Sequence, residues 1–361
     1  MKLVIIGASG NVGTALLKAV GDSSDITEVT AIARRVPRRT PSPPYDVATW
    51  KAIDIGETGA DAVVASLAQA MEGADAVIHL AWIIQPNHNR EMLRRVNVHG
   101  AARVLAAARM AEVPHLVVAS SVSAYSRAED DELRDESWDT EGISSSEYSV
   151  DKAAVEKLLD DHVRNYPQML ITRLRPALIF QRAVGAQVMR NFMAPLVPQA
   201  AFGGRLPIAP VPARAKIQAV HADDVAQAYL AAVRAGVGGA FNIAASDIIG
   251  VEELAQLLDH GRALEVPPKV LRAMMWAAWQ SRVLAASPGW MDLADMSPLM
   301  DTTKAQSVLG WTPQRSGYDT LAELLDGMAN GDGAPSPPLR PRDYAPSTRP
   351  SSSARVPEVA A

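Results

Sequence analysis

The sequence predicts an α/β protein: a doubly wound parallel sheet with a smaller C-terminal lobe. Three observations predict it. Short apolar runs alternate with helical patterns through the first half of the chain, the βαβ signature of a parallel sheet. The runs are continuous in Val, Ile and Leu, as strands covered on both faces require. After about residue 181 the alternation is lost, and Pro, Gly, Met and Trp become more frequent. In order, KLVIIG is the first strand and residues 11–20 the first helix. VTAIA, residues 29–33, is the second strand and leads into a Pro-rich loop. ADAVIHLAW precedes a helical pattern over 91–110, and HLVVASS precedes another over 148–163. In MLITRLRPALIF, Pro176 marks where regular pairing stops, because proline lacks the amide a ladder needs.

This reading places residues 1–180 in the sheet domain, with 215–245 returning to it through the helical segment Asp223 to Ala235. Residues 181–330 form mainly the second lobe. From 331 to 361 the composition shifts to Pro, Ser, Arg and Ala, too poor in large apolar residues to order itself, so a disordered tail is expected. The Pro-rich insertion from Pro37 to Pro44 has no counterpart in the pattern, and no internal repeat is visible.

Composition narrows the function. The chain has 361 residues, 48% hydrophobic and 21% charged, with a formal charge of -5, which lacks the concentrated basic excess a nucleic-acid surface needs. With no cysteine, disulfides, thiolate metal sites and thiol nucleophiles are excluded, and a reducing, cytoplasmic setting is expected. No two of the seven histidines stand at helical metal-ligand spacing beside a carboxylate, so no metal site is expected. The apolar run at the N-terminus is broken at Gly7 and Gly10, too early for a signal-peptide core, and no stretch is long enough to span a membrane. A helix over 270–284 with Leu271, Met274, Met275, Ala278 and Trp279 on one face reads either as a lid packed on the second lobe or as a membrane-surface helix. The expected partner is a small-molecule substrate, with a homodimer as the candidate assembly.

Directly after the first strand comes GASGNVG, with Gly7, Gly10 and Gly13 in register and Asn11 and Val12 opening the helix. Glycines there allow a tight turn and close approach to a pyrophosphate at the helix N-terminus, where free N–H groups point outward. An ordinary strand-to-helix turn rarely needs three. The second strand ends in Ala33, Arg34, Arg35, where NAD-specific folds place an acidic residue on the ribose hydroxyl. Two guanidinium groups suit a 2′-phosphate instead, so NADP is the preferred cofactor and NAD the other. Arg38 and Arg39 nearby leave a solvated basic turn as the alternative. Asp54, followed by Ile55, is placed to meet the adenine amino group or to cap its own turn. His79, Leu80 and Ala81 form the neighbouring wall, with His79 alternatively a core histidine.

Tyr148 and Lys152 lie four apart on a helical pattern and so on one face. A cation near a phenol favours the phenolate and brings it into range as an acid or base. The pair gains weight from following a strand that ends in Ser120 and Ser121.

GASGNVG, the strand end at Asp54, VIHLAW, VNVHGAARVL with Asn97, VVASSVSAY, EYSVDK, RLRPALIF and VHADDVA, in this order, resemble the extended short-chain dehydrogenase/reductase family, of the NAD-dependent epimerase/dehydratase kind. The resemblance covers roughly residues 1 to 325, WTP at Trp311 included. It implies a Rossmann-type domain in which Tyr148 is the catalytic acid/base, Lys152 binds the nicotinamide ribose and depresses the Tyr148 pKa, and Ser121, or else Ser123, hydrogen-bonds the reacting oxygen. It also implies that Asn97 supports the site, and that His221 and Asp223 tie the second lobe to the first.

Two departures bear on substrate. Gln181 stands where many members have glycine, and PARAKIQA precedes VHADDVA in place of the acidic, aromatic stretch of nucleotide-sugar enzymes. The segments expected to shape specificity are Trp82, Ile83 and Ile84, then Phe192, Met193, Leu196 and Val197, then Met275, Trp276, Trp279 and Trp290, nearly all apolar, with Arg205 and Arg214 the candidate cations for a diphosphate. The expected function is therefore hydride transfer between NAD(P) and a carbonyl or alcohol carbon of an apolar molecule. A nucleotide-sugar epimerase or dehydratase would use the same residues. A non-catalytic dinucleotide-binding sensor or scaffold is the alternative of another class, against which intact Ser121, Tyr148 and Lys152 argue.

Overall fold

Seven parallel strands form the central sheet: β1 (Lys2–Ile6), β2 (Glu28–Ala33), β3 (Thr49–Ala52), β4 (Ala76–His79), β5 (His115–Ala119), β6 (Leu170–Pro176) and β7 (Gly239–Ile243), in the spatial order β7-β6-β5-β4-β1-β2-β3. The computed structural model describes residues 1–37, 41–193, 209–259 and 263–342. The chain runs outward from β1 to β3, then returns to the other side of β1 for β4. That reversal opens a crevice at the C-terminal ends of β1 and β4, the usual ligand site of such sheets. Ile6 pairs with Ile32 on one side and His79 on the other, which puts Gly7, Ala33 and Leu80 along one rim.

The strands read as unbroken apolar runs because both faces are covered. On one face lie α1 (Asn11–Gly21) and α5 (Ala222–Ala235), with Leu16 and Leu17 buried in the same cluster as Val225 and Tyr229. On the other lie α2 (Ala60–Met71), the composite helix α3 and α4 (Glu147–Asn165), through Leu67, Val104 and Val155. Each fully buried leucine contributes about 2 kcal/mol of transfer free energy. Helix α3 is Arg90–Arg94, a π turn over Arg95–His99, then Gly100–Met110. The π turn contains Asn97 and turns it inward, a placement the 3.6-residue pattern did not specify.

After β6 the chain leaves the sheet, and Leu178–Phe180 pairs with Ala219–His221. Pro176 thus ends the ladder as expected. Helix α5 packs on α1 and β7 extends the sheet beyond β6, so residues 222–243 lie against the first lobe. His221 Nδ1 accepts from the Asp223 amide, and its Nε2 faces Glu323 of the helix Gly317–Asn330. A third apolar cluster holds Val184, Ile249, Leu321, Leu324, Met328 and Leu339.

Two expectations change. The Pro-rich insertion ends in Tyr45, fully buried, whose hydroxyl meets Thr14 of α1 at 3.0 Å. The insertion therefore closes α1 from outside; Arg38 and Arg39 lie outside the described residues. The disordered tail is corrected for residues 331–342, where Ala334, Ser336 and Leu339 are buried. Few apolar residues suffice there because the segment turns back on itself and packs Ala334 and Leu339 into the cluster with Leu321 and Leu324; residues 343–361 lie outside the described residues.

The helix expected near 270–284 is Pro268–Gln280, and none of its residues is buried. Among the described residues it is held by Trp279 stacked on His88 at 5.2 Å and by Arg272 paired with Asp292 at 2.7 Å. No helix among the described residues is long and apolar enough to cross a membrane.

Candidate active site

The glycine turn is shaped by contact. Gly7 has φ +91°, and a Cβ there would lie 2.6 Å from the Ala81 amide nitrogen; one on Gly13 would lie 2.5 Å from the Ala8 carbonyl oxygen. Backbone stands on both sides, so neither position tolerates a side chain. Helix α1 starts at Gly10 with no side-chain cap and no acidic residue in its first turn. Its open N–H groups at Asn11 and Val12 suit the pyrophosphate of a dinucleotide. Gln181, the departure from the family pattern, donates to the Asn11 backbone oxygen at 3.1 Å and to its Oδ1 at 2.7 Å, while Asn11 Nδ2 donates to the Ile179 carbonyl. The Asn11 side chain thus ties the turn to the strand end after β6.

At the neighbouring rim, Arg34 and Arg35 are exposed just past β2. Arg34 Nε lies 4.0 Å from Asp54, whose Oδ1 accepts from the Gly56 amide at 2.9 Å, so Asp54 caps its own turn. Ile55 is buried beneath, and a Cβ at Gly100 would lie 2.8 Å from the end of its side chain. Leu80 bonds Ile6 through its amide, and Ala81 abuts Gly7. Asn97 accepts from the Ile83 amide at 2.8 Å and donates to the Ile83 carbonyl at 3.2 Å, fixing the loop after β4 rather than facing a reacting atom.

Helix α4 is capped by Ser146 and presents Tyr148 and Lys152 to the crevice. Burial pushes the Tyr148 phenol up to about 12, partly offset by its hydrogen bond with Ser121. Ser121 Oγ also accepts from the Ser123 amide at 3.1 Å, so Ser123 positions Ser121 through its backbone. The Lys152 ammonium donates to the Ala119 carbonyl at 2.8 Å and lies 3.7 Å from the centre of the Trp82 ring. Burial drives it down to about 7, and Glu156 draws it back up. The expected depression of the phenol by Lys152 is therefore corrected: desolvation sets the direction of the Tyr148 shift, and the ammonium is engaged by a carbonyl and an indole.

Glu156 is one turn beyond Lys152 and 1% exposed. It accepts from Ser120 Oγ, Arg173 and Arg175, and despite burial these donors hold it down to about 2. Arg175 passes the network on to Tyr125, which donates to Asn242 at 2.7 Å. The network fixes the ends of β5 and β6 beneath the site. His79 is buried, pushed down to about 3 mainly by desolvation, and its Nδ1 has no hydrogen-bond partner among the described residues.

A cleft opens over Tyr148, lined among others by Ile83, Ile84, Arg90, Leu93 and Trp290. Tyr148 meets Trp82 edge-on at 5.8 Å and Trp290 at 5.2 Å, and Phe192 packs edge-on against Trp290 at 5.1 Å. The cleft also contains Gln85, Asn87, Glu147 and Asp151, more polar groups than the apolar segments implied. Arg90 pairs with Asp151 through two contacts of 2.5 Å. Trp276 is half exposed and Arg214 exposed, neither lining the cleft; Leu196, Val197 and Arg205 lie outside the described residues, as does the Met193 side chain.

With this geometry in place, comparison with known proteins is decisive at family level. The NAD dependent epimerase/dehydratase family profile matches residues 3–244. The chain belongs to that family. An uncharacterized protein of Mycobacterium tuberculosis is 26% identical over 326 residues, covering 90% of this chain, which spans only 30% of that relative's length. L-arabinose 1-dehydrogenase (NAD(P)(+)) of Haloferax volcanii is 28% identical over 126 residues, 33% of this chain and 41% of that protein. A dTDP-glucose 4,6-dehydratase of Streptomyces venezuelae, solved with NAD bound, superimposes with a TM-score of 0.68 at 20% identity, over 91% of this chain and 96% of that one. As an epimerase/dehydratase-family fold, the protein puts its glycine turn and the Tyr148 helix on one crevice. Sequence reasoning missed Glu156 and the Arg90–Asp151 pair. Glu156 had a signal, standing four residues beyond Lys152 on the same helical face; the partner of Arg90 lies 61 residues away and had none.

Proposed function

We propose that the protein is an NAD(P)-dependent oxidoreductase acting on a carbonyl or alcohol carbon of a small molecule with an apolar body. The observation that carries this reading is Tyr148, walled by Trp82 and Trp290 and one helical turn from Lys152, whose ammonium lies 3.7 Å from the centre of that same Trp82 ring. The nicotinamide would supply and accept hydride. Tyr148 gives or takes the substrate proton, Ser121 orients the reacting oxygen, and Lys152 is placed for the nicotinamide ribose. Gly7, Gly10 and Gly13 with the first amides of α1 hold the pyrophosphate. Arg34 and Arg35 favour the 2′-phosphorylated cofactor, whereas the NAD in the related dehydratase structure supports the other form.

Arg90 is already neutralised by Asp151, which argues against a diphosphate in this cleft. A second reading, nucleotide-sugar epimerisation or dehydration, is supported by the dTDP-glucose 4,6-dehydratase among the structural relatives. The test is binding of NADH and NADPH to purified protein, then turnover and competitive displacement with hydrophobic ketones and alcohols against nucleotide sugars. Displacement by nucleotide sugars alone, beside saturating cofactor, overturns the apolar substrate in favour of the second reading.

A further inference from the structure

The helix Pro268–Gln280 and its exit carry apolar side chains that the fold leaves outside. At about 100° per residue, Val270, Ala273, Met274 and Ala277 fall on one side of the helix, and all four are exposed. Leu271, Met275, Ala278 and Trp279 fall on the other and are half-buried, with Trp279 stacked on His88. The helix is therefore apolar on both its inward and its outward face, whereas a helix that faces water turns polar side chains outward. Trp276, at the edge of the outward stripe, and Val283, just past the helix, are exposed as well. Single exposed apolar side chains are ordinary, but Val270, Met274, Trp276 and Val283 together mark an interaction surface.

Charge selects the occupant. The chain has a net charge of -5, yet from 266 to 291 it has no Asp or Glu and three cations, Lys269, Arg272 and Arg282. Arg272 is spent on Asp292, while Lys269 and Arg282 make no ion pair among the described residues. These two bracket the apolar stripe, one on its first turn and one past its last, about 20 Å apart along the axis. Lys269, Arg272, Ala273 and Trp276 line one shallow concavity beside the stripe. An ammonium on a long stem next to an indole suits the headgroup level of a bilayer, with the apolar parts inward and the polar ends at the phosphates. A protein partner fits less well. The outward face of one such helix, roughly 20 Å by 10 Å, offers about 200 Å², against about 800 Å² per partner in a stable protein interface. A bilayer deforms around inserted side chains and needs neither that area nor a matching shape.

We propose that this face docks the protein on an anionic lipid bilayer: Val270, Met274 and Trp276 enter the boundary between headgroups and acyl chains, and Lys269 and Arg282 meet lipid phosphates. Docking of this kind is independent of the reaction proposed above. It brings the bilayer next to the cleft, because Trp279 of the same helix stacks on His88, the residue that follows Gln85, Pro86 and Asn87 of the cleft wall.

The experiment is sedimentation of the full chain with vesicles of phosphatidylcholine alone and of phosphatidylcholine mixed with phosphatidylglycerol, at low and high salt. Expected is binding to the mixed vesicles that weakens at high salt, little binding to phosphatidylcholine, and a blue shift of tryptophan emission that is mostly lost in Trp276→Phe. Met274→Asp and Lys269→Glu should each weaken binding about tenfold or more. Met110→Asp is the control: Met110 ends α3 and is 66% exposed against 64% for Met274, and this variant should bind as the unaltered protein does. All the substituted side chains are exposed, so unchanged thermal melts are expected and report that each variant is folded. Absence of binding to either vesicle overturns the proposal, and equal binding to both removes the anionic headgroup from it. Equal losses in Met274→Asp and Met110→Asp would place the contact elsewhere. Concentration-dependent dimerisation that Met274→Asp abolishes, without vesicle binding, would assign the face to a second copy of the chain and overturn the proposal.

Discussion

The Lys152 ammonium lies 3.7 Å from the centre of the Trp82 ring, and the same indole meets the Tyr148 ring edge-on at 5.8 Å. One aromatic side chain thus touches both members of the acid/base pair, while its own Nε1 is buried without a hydrogen-bond partner among the described residues. A group that engages Lys152 must therefore perturb Trp82. Adding NADH or NADPH is expected to change tryptophan emission, with most of the change lost in Trp82→Phe and kept in Trp276→Phe, whose ring is half exposed on the Pro268–Gln280 helix. An identical change in Trp82→Phe would mean that the dinucleotide does not reach this indole.

Tyr148→Phe removes the hydroxyl and keeps the ring that packs against Trp82 and Trp290. Dinucleotide affinity should hold, while kcat falls by roughly 10²–10⁴-fold, the usual worth of a positioned acid or base. A variant that turns over at near-normal rate would remove Tyr148 from the proton transfer.

The pH dependence of stability should follow two buried groups. Glu156 is held down to about 2 against an ordinary 4.5, so its contribution is fully present above pH 4.5 and is lost as pH falls toward 2. His79 is held down to about 3 against 6.5, so the unfolded chain takes up its proton first and stability already declines below pH 6.5. Urea midpoints should therefore fall in two stages on acidification. In Glu156→Gln the lower stage should flatten, and the neutral-pH stability should drop by about 3–5 kcal/mol because Arg173 and Arg175 lose their buried anion. A variant with an unchanged pH profile would show that the network does not govern acid unfolding.

Gly13→Ala places a methyl 2.5 Å from the Ala8 carbonyl oxygen, with backbone that cannot swing aside. A loss of about 1–3 kcal/mol in stability is expected, together with weakened dinucleotide binding. Gly59→Ala is the comparison: its Cβ meets nothing within 4 Å, and its cost comes only from φ +85°, about 1–2 kcal/mol, with binding intact. Thermal melts and cofactor titrations on both variants check this. Equal effects on binding would show that the turn at Gly13 is not part of the cradle.

Local pattern determined the part of this protein that depends on neighbours in sequence. Continuous apolar runs made the strands, three glycines in register made the turn at β1, and a four-residue spacing put Tyr148 and Lys152 on one helical face. The tertiary structure decided what surrounds them. Trp82 and Trp290 stand far apart in the chain, and only the folded protein brings both rings against Tyr148. Ser336 reaches Ser9 across 327 residues, so a segment too poor in apolar residues to order alone is held by contacts remote in sequence. The acidity of Lys152 and Tyr148 was likewise settled by depth: both are desolvated by elements remote in sequence, and no periodicity records how much water the finished fold excludes.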